Sequence, residues 1–99
     1  MHTSIRQYRV KSGKSDELIE KVQNGFVPII SKASGFLGYY VVDAGDGRLA
    51  SISVFQDKAG AEESTRTAAD WVSKNIADLV EGPPDILSGE TRVEANAMG

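Results

Sequence analysis

The sequence predicts a single α+β domain in which two helices cover one face of a four-stranded antiparallel sheet. Three observations lead to this fold class. The chain has 99 residues, 40% of them hydrophobic and 25% charged, which is an ordinary globular composition with room for one core. Two stretches have the apolar spacing of amphipathic helices, and four shorter stretches read as strands. Residues 1–99 are therefore expected to form one domain, with a loose tail over 94–99.

The first strand is predicted over residues 3–11, where Ile5, Tyr8 and Val10 alternate imperfectly with polar residues. A turn follows at residues 12–15. Ser15 at its end is a candidate N-cap, because its hydroxyl could accept a hydrogen bond from the first helical turn.

The first helix has apolar residues three and four positions apart, as an amphipathic helix requires. They are Leu18, Ile19, Val22, Phe26, Ile29, Ile30 and Ala33. Pro28 falls inside this pattern and should either kink the helix or begin a separate last segment, because proline lacks the backbone donor. Gly35 is suited to a left-handed helix cap.

Two further strands are predicted over residues 36–43 and 48–56, joined by a turn that contains the favoured pair Asp46-Gly47. On the first of them, Phe36, Tyr40 and Val42 are expected on one face, and Leu37, Tyr39 and Val41 on the other. On the second, Ala50, Ile52 and Val54 are expected opposite Leu49 and Phe55. Both faces of this hairpin are apolar, whereas two helices can cover only one side of the sheet. The uncovered face therefore predicts a homodimer that forms through the open sheet face.

The second helix is predicted from Lys58 to Val80, with Asp57 as its N-cap. Its expected core stripe is Ala61, Thr65, Ala68, Val72, Ile76 and Leu79. Glu81-Gly82-Pro83-Pro84 ends the helix, and a last strand follows over residues 86–93. The resulting order, βαββαβ, is the ferredoxin-like arrangement.

Charge and composition exclude several classes of protein. The formal net charge is −3, the sequence pI is about 5.0, and the eleven Lys and Arg residues form no cluster. Nucleic-acid binding requires a basic surface, so it is not expected. No apolar run approaches the roughly 20 residues of a membrane helix, and no basic segment followed by an apolar run marks a secretory signal. We expect a soluble cytoplasmic protein with no membrane partner.

Metal and nucleophilic chemistry have few candidate residues. The chain has no cysteine and a single histidine, His2. Transition-metal sites normally use three or four such ligands, and a nucleophilic serine or cysteine needs a histidine base. We therefore expect no metal and no cofactor, and we expect His2 to be a solvated end residue.

Trp71 is the first candidate for ligand binding. It lies on the flank of the second helix's apolar stripe, with Asn75 and, further round, Thr67 on the same flank. A flat ring bordered by hydroxyl and amide groups is typical of a mostly apolar ligand pocket. The alternative is that Trp71 packs against the sheet or at the dimer contact.

Arg92 and the two adjacent tyrosines are further candidates. Arg92, on the predicted last strand, could hold an anionic oxygen through its fork of donors, or it could pair with Glu90 or Glu94. Tyr39 and Tyr40 must point to opposite faces, so at most one of them can line a given cavity. Packing at the core edge or the interface is the alternative for both.

Two runs carry a resemblance to a known family. Ser-Gly-Phe-Leu-Gly-Tyr-Tyr at residues 34–40 and Ser-Val-Phe-Gln-Asp at residues 53–57, in the βαββαβ order, resemble the antibiotic biosynthesis monooxygenase-like (ABM) proteins. The likeness covers roughly residues 3–93. It implies that two monomers place their sheets face to face in a dimeric α+β barrel, with a ligand cleft between the sheet and helices of each.

The resemblance also implies site residues. Oxygenating members use a tryptophan on the second helix, an asparagine one turn before it and an arginine on the last strand. Trp71 and Arg92 match the first and third, whereas the asparagine position falls at Thr67, and Asn75 one turn later is a candidate substitute. A haem-degrading branch uses a histidine near the second helix, which this chain lacks.

The sequence thus supports the hypothesis of a homodimer whose helix–sheet cleft binds a small aromatic or apolar molecule. If it is an enzyme, the resemblance implies a cofactor-independent monooxygenase of phenolic or quinol-like substrates. Trp71 and Arg92 would then be catalytic, and Tyr39, Tyr40, Thr67 and Asn75 would bind the substrate. The alternative is a non-catalytic dimer that binds a metabolite or serves as an interaction module.

Overall fold

The structure, a computed structural model, describes residues 1–97 and has the predicted ferredoxin-like α+β fold. Its four strands form one antiparallel sheet in the order β2-β3-β1-β4. They are β1 (His2–Arg9), β2 (Phe36–Gly45), β3 (Arg48–Phe55) and β4 (Asp85–Glu90). The helices are α1 (Ser15–Lys21), a π-helical segment (Val22–Phe26), α2 (Val27–Ile30) and α3 (Lys58–Asn75). Of the tail predicted from residue 94, Met98 and Gly99 lie outside the described residues.

In the first helical region every fourth residue from position 18 to position 30 is buried. Leu18, Val22, Phe26 and Ile30 are all buried. In a helix of 3.6 residues per turn this spacing would drift around the surface, and the wider π turn between Val22 and Phe26 brings the four side chains back into line. Pro28 lies in the first turn of α2 and so begins the separate last segment that the sequence allowed.

Two predictions about helix caps have different outcomes. Ser15 as N-cap was wrong, because Lys14 occupies that position without a side-chain hydrogen bond and Ser15 is the first helical residue. Asp57 as the cap of α3 is confirmed, since its Oδ1 accepts a 2.8 Å hydrogen bond from the Gly60 N–H.

The β2–β3 hairpin turns through Asp46 and Gly47, whose φ angles are both positive (55° and 75°). This is the backbone that a two-residue hairpin loop requires. Gly47 has a second reason to be glycine, because a Cβ at this position would lie 2.6 Å from the Val10 carbonyl oxygen.

One predicted alternation was wrong at the start of β2. Phe36 pairs with Phe55 and Gly38 with the next residue, Val54, so Leu37 is an extra residue on β2. This bulge reverses the alternation. Phe36 therefore lies on the same face as Tyr39 and packs against the core, whereas Leu37 is exposed. From Tyr39 onward the predicted faces are confirmed.

The second predicted helix is shorter than expected. It ends at Asn75 and is followed by a 3₁₀ turn (Ala77–Leu79). Two backbone hydrogen bonds hold the chain after Ile76 against the end of β1: Lys11 N–H to Leu79 O and Glu81 N–H to Arg9 O. A continuous helix could not make them. The last strand is also shorter, since β4 ends at Glu90 and residues 91–97 contain no helix or strand.

The sheet has two very different faces. The helices pack on an inner face that carries Leu49 and Phe55 together with the buried polar residues Ser4, Arg6, Ser51 and Ser53. The outer face carries the cross-strand row Tyr40, Ile52, Ile5 and Leu87, and no element among residues 1–97 covers it. Tyr40 is 60% exposed and Leu87 70%.

Candidate functional site

A cavity of about 30 Å³ lies between the inner face of the sheet and the helices. Its walls are mainly aromatic and aliphatic, and the side chains that define it include Arg6, Tyr8, Val22, Phe26, Tyr39 and Trp71. The volume is enough for about two water molecules. The cavity is therefore too small to hold an organic ligand by itself.

Trp71 forms the helical wall of this cavity. Its ring packs on Phe26 with 5.5 Å between centroids, and Phe26 in turn meets the ring of Tyr39 at 5.5 Å in an edge-on arrangement. The π-helical segment places Gly25 directly beneath the indole, where a Cβ would lie 3.0 Å from Cζ2. Trp71 therefore packs against the core, as the alternative interpretation expected, and its ring also lines the cavity.

Arg6 supplies the charge at the cavity. It is on the inner face of β1 and only 2% exposed. Its Nη1 lies 3.4 Å from the hydroxyl oxygen of Thr65 on α3. Within residues 1–97, Nε and Nη2 make no hydrogen bond of good geometry, and none of the ion pairs in that range includes Arg6. The Tyr8 hydroxyl is nevertheless close enough to Arg6 for a hydrogen bond between them to oppose the rise of the Tyr8 pKa.

Further polar atoms without partners lie close to Arg6 in the sheet. Ser51 on β3 is the direct cross-strand neighbour of Arg6. Ser53, two residues further along β3, is the cross-strand neighbour of Ser4. Ser53 Oγ is buried without a partner among the described residues, and Ser51 Oγ makes no hydrogen bond of good geometry, although the Tyr39 hydroxyl lies close to it. Buried polar groups are normally satisfied, so this concentration of free donors and acceptors on one strand pair marks a place built to meet another group.

Two tyrosine hydroxyls complete the polar part of the site. Burial raises the pKa of both Tyr8 and Tyr39 above the ordinary 10.0, and the positive charge of Arg6 opposes this rise. Burial is the larger effect, so both phenols remain protonated at neutral pH and can donate hydrogen bonds.

A larger groove of about 460 Å³ opens on the other side of Arg6, between α3 and β4. Arg6, Tyr8 and Val72 line both the cavity and the groove, and therefore form the boundary between them. The rest of the groove is mostly apolar. It includes Ala69, Val80, Pro83, Pro84 and Ile86.

The structure brings together only some of the residues that the sequence singled out. Trp71 and Tyr39 line the cavity, whereas Tyr40 points to the outer face, as the opposite orientation of the two tyrosines predicted. Thr67 is half-buried on α3 but does not line the cavity. The Asn75 amide donates a 2.9 Å hydrogen bond to the Trp71 carbonyl oxygen, so it is used within its own helix.

Arg92 lies away from the cavity. It is exposed and follows the end of β4, where the Thr91 N–H donates to the Met1 carbonyl oxygen. Placing Arg92 on the last strand was therefore wrong. The cavity lies further along β1, at Arg6 and Tyr8.

His2 is not the solvated end residue that the sequence suggested. It is the first residue of β1, half-buried, and its Nε2 lies 3.2 Å from the Ser88 hydroxyl. Ser88 is also 2.8 Å from the Ser4 hydroxyl. This small polar cluster ties β4 to β1 at the edge of the sheet.

Arg6 is the residue that sequence reasoning missed. The available signal was its position, two residues from Tyr8 and four from Val10, which places it on the core-facing side of the strand. Charged side chains are almost never fully buried unless they are paired, so a charged residue at a core-facing strand position indicates a partner or a ligand.

Comparison with known proteins identifies the family. The model of the family "Antibiotic biosynthesis monooxygenase" matches residues 1–69, and the chain belongs to this family. None of the curated proteins matches the sequence.

Solved structures of the same fold cover nearly the whole chain. One is NE2512 from Nitrosomonas europaea, a protein of unknown function (TM-score 0.83, 20% identity, covering 99% of this chain and 95% of that one). Another is Atu4242 from Agrobacterium tumefaciens (TM-score 0.69, 26% identity, covering 99% and 100%). A third is a monooxygenase from the gene ActVA-Orf6 of Streptomyces coelicolor, in complex with nanaomycin D (TM-score 0.71, 16% identity, covering 98% and 92%).

No helix in residues 1–97 is long and apolar enough to cross a membrane. In the same range, no group of three or more His, Asp or Glu side chains is placed to hold a metal ion.

Proposed function

We propose that this protein is a homodimer that binds a small, mostly apolar organic anion between its sheet and helices, and that it oxygenates such a compound without a cofactor. The observation that carries the proposal is Arg6, a buried cation with two free donors at the wall of an aromatic cavity. A buried charge without a partner is costly. An anionic ligand would supply the missing counter-charge.

The oxygenation part rests on the surroundings of that charge. Trp71 offers an aromatic surface, and the neutral phenols of Tyr8 and Tyr39 can orient an oxygen atom of the ligand. A positive charge in a water-poor site favours the ionised form of a phenol or enol. The ionised ring is electron-rich and can transfer electrons to O2.

The reaction balances without a further reductant. For a substrate with a reactive ring CH2 group, as in an anthrone, one oxygen atom of O2 becomes a new carbonyl. The other leaves as water with the two hydrogens. The substrate loses four electrons and O2 gains four. The ActVA-Orf6 monooxygenase, bound to nanaomycin D, shares this fold.

The homodimer is supported by the outer face of the sheet. Tyr40, Ile52, Ile5 and Leu87 form an apolar row across all four strands. Exposed apolar patches of this kind mark interaction surfaces. The row lies on the side of the sheet opposite Arg6, so two copies could join here without closing the groove.

Oxygen uptake tests the activity. With a panel of anthrones, hydroquinones and catechols, each with and without a ring carboxylate, uptake above the spontaneous rate is expected. It should fall by about 100-fold in Arg6→Gln, the cost of removing a group that stabilises charge in the transition state, and it should also fall in Trp71→Phe. Arg66→Gln is the matched control, because Arg66 is exposed on α3. Arg92→Ala reports separately whether Arg92 takes part.

A second candidate, ligand binding without catalysis, is favoured by the position of Trp71, which lines the cavity of about 30 Å³ but not the groove of about 460 Å³ that has room for a ligand. Uptake that stays at the spontaneous rate with every compound in the panel, in a protein that still binds one of them, would establish this candidate instead.

A further inference from the structure

We infer that the ligand is a carboxylate: its two oxygens bind side by side to Nε and Nη2 of Arg6, and its apolar body lies in the groove between α3 and β4. This inference rests on the proposed function, namely that Arg6 binds the ligand's negative charge. It adds the chemical class of the anion and the place of the ligand's body.

The free edge of the guanidinium specifies the shape of the anion. Nη1 is directed to Thr65, which is itself fixed because its hydroxyl donates a 3.1 Å hydrogen bond to the Ala61 carbonyl oxygen. The two donors without a hydrogen-bond partner, Nε and Nη2, are the pair whose N–H bonds point in parallel. Both atoms are fully buried, so the Arg6 side chain must turn toward the groove for a ligand to reach them. This edge matches the spacing of two carboxylate oxygens. A phenolate, with a single oxygen, would leave one of the two buried donors unpaired.

The groove specifies where the rest of the ligand lies. The space on the Trp71 side is about 30 Å³, whereas the groove is about 460 Å³, within the range of typical small-molecule pockets. Ile86, the cross-strand neighbour of Arg6 on β4, is 52% exposed although it points to the same side of the sheet. An apolar surface next to a buried cation fits an amphipathic acid with a compact apolar body.

The environment of Arg6 favours a ligand over an internal partner. The carboxylates on the neighbouring part of α3 are exposed, and their ion pairs are with other residues of that helix: Glu63 with Arg66, and Asp70 with Lys74. They are turned away from Arg6. Tyr8 lines both the groove and the cavity, so its hydroxyl is the one that a ligand bound in this way can reach.

Calorimetric titration with matched acids and amides tests this inference on the intact protein. Benzoate, 1-naphthoate and cyclohexanecarboxylate are the acid probes; benzamide and 1-naphthamide have the same shape without the charge. The acids are expected to bind at least about tenfold more tightly than the amides, as expected for a buried charge pair. Equal affinity, or no binding of any acid, would overturn the inference.

Two pairs of proteins test the geometry. Arg6→Lys against the wild type tests whether the paired donors of Arg6, rather than its charge alone, bind the acid. Ala69→Trp against Ala59→Trp tests whether the apolar part of the ligand lies in the groove. Arg6→Lys keeps the charge but loses the paired donors, and should weaken acid binding about tenfold or more. Unchanged affinity in Arg6→Lys would contradict the side-on geometry. Ala69→Trp, which fills the groove, should weaken 1-naphthoate binding by a similar factor, whereas Ala59→Trp, at the exposed start of α3, should not. Equal effects of the two tryptophans would overturn the placement in the groove.

The inference and the proposed function can fail separately. If acids bind through Arg6 but the protein takes up no oxygen, the carboxylate inference is supported and the oxygenase proposal is rejected. Oxygen uptake with uncharged phenols, in a protein that binds no acid, would retain the oxygenase and overturn the carboxylate.

Discussion

Replacing Arg6 with methionine should make the ligand-free protein more stable. The guanidinium is 2% exposed and two of its nitrogens have no partner among residues 1–97, so the folded protein bears a desolvation cost that methionine removes. Methionine also fills a similar volume. Exchanges of buried ionic groups for apolar ones have stabilised proteins by about 1–4 kcal/mol. A gain of about 2 kcal/mol would raise the Tm of a domain of this size by roughly 10 °C.

Thermal and denaturant unfolding of the two proteins without ligand would measure this gain. Arg66→Met is the matched control, because Arg66 is exposed on α3 and its replacement should change the free energy of unfolding by no more than about 0.5 kcal/mol. A variant Arg6→Met that is less stable than the wild type would mean that the guanidinium already has a partner. It would remove the main argument for an anionic ligand. A stabilised but inactive variant would instead show that stability has been given up for function.

Placing a lysine at Ile52 should convert the proposed homodimer to a folded monomer. Ile52 lies at the centre of the outer face, between Tyr40 on β2 and Ile5 on β1. In a face-to-face dimer its ammonium group would be buried without a partner on both sides of the two-fold axis. Unpaired buried charges at interfaces cost about 2–5 kcal/mol, so the dimer Kd should rise by more than about 1,000-fold when both copies carry the change.

The monomer should remain folded because the outer face lies on the opposite side of the sheet from the helical core. Light scattering after gel filtration gives the mass, and circular dichroism reports whether the fold is retained. Ala59→Lys introduces the same charge at an exposed position of the helical layer and should leave the dimer intact. A wild-type protein that is a monomer at micromolar concentration would contradict the dimer itself.

The fold could be predicted because the apolar residues recur with the periods of helices and strands. The spacing of Leu18, Val22, Phe26 and Ile30 predicted the first helix, and the two-sided apolar hairpin predicted a face without cover. One failure arose where a single residue changes the phase of the alternation. The extra residue at Leu37 reverses the alternation of β2, and a bulge of this kind has no reliable signal in a single sequence.

The site was less predictable because it depends on contacts between distant parts of the chain. Trp71 was found, since a tryptophan on the flank of a helical stripe is visible in the pattern. The alternation also showed that only one of Tyr39 and Tyr40 can line a given cavity, but not which one. Arg6 was missed because its importance comes from Thr65, Ser51 and the β1–β3 register, none of which is local. Arg92 was singled out by its donor chemistry and by the resemblance, but the strand that was predicted to hold it ends at Glu90.

A crystal structure of the protein grown in benzoate tests the central claim most directly, that Arg6 is the group that recognises a ligand. We predict the two carboxylate oxygens at about 2.8 Å from Nε and Nη2, with the ring in the groove between α3 and β4 and a second copy against the outer face. A structure in which Nε and Nη2 are paired with a side chain of the protein, with no benzoate in the groove, would contradict the account.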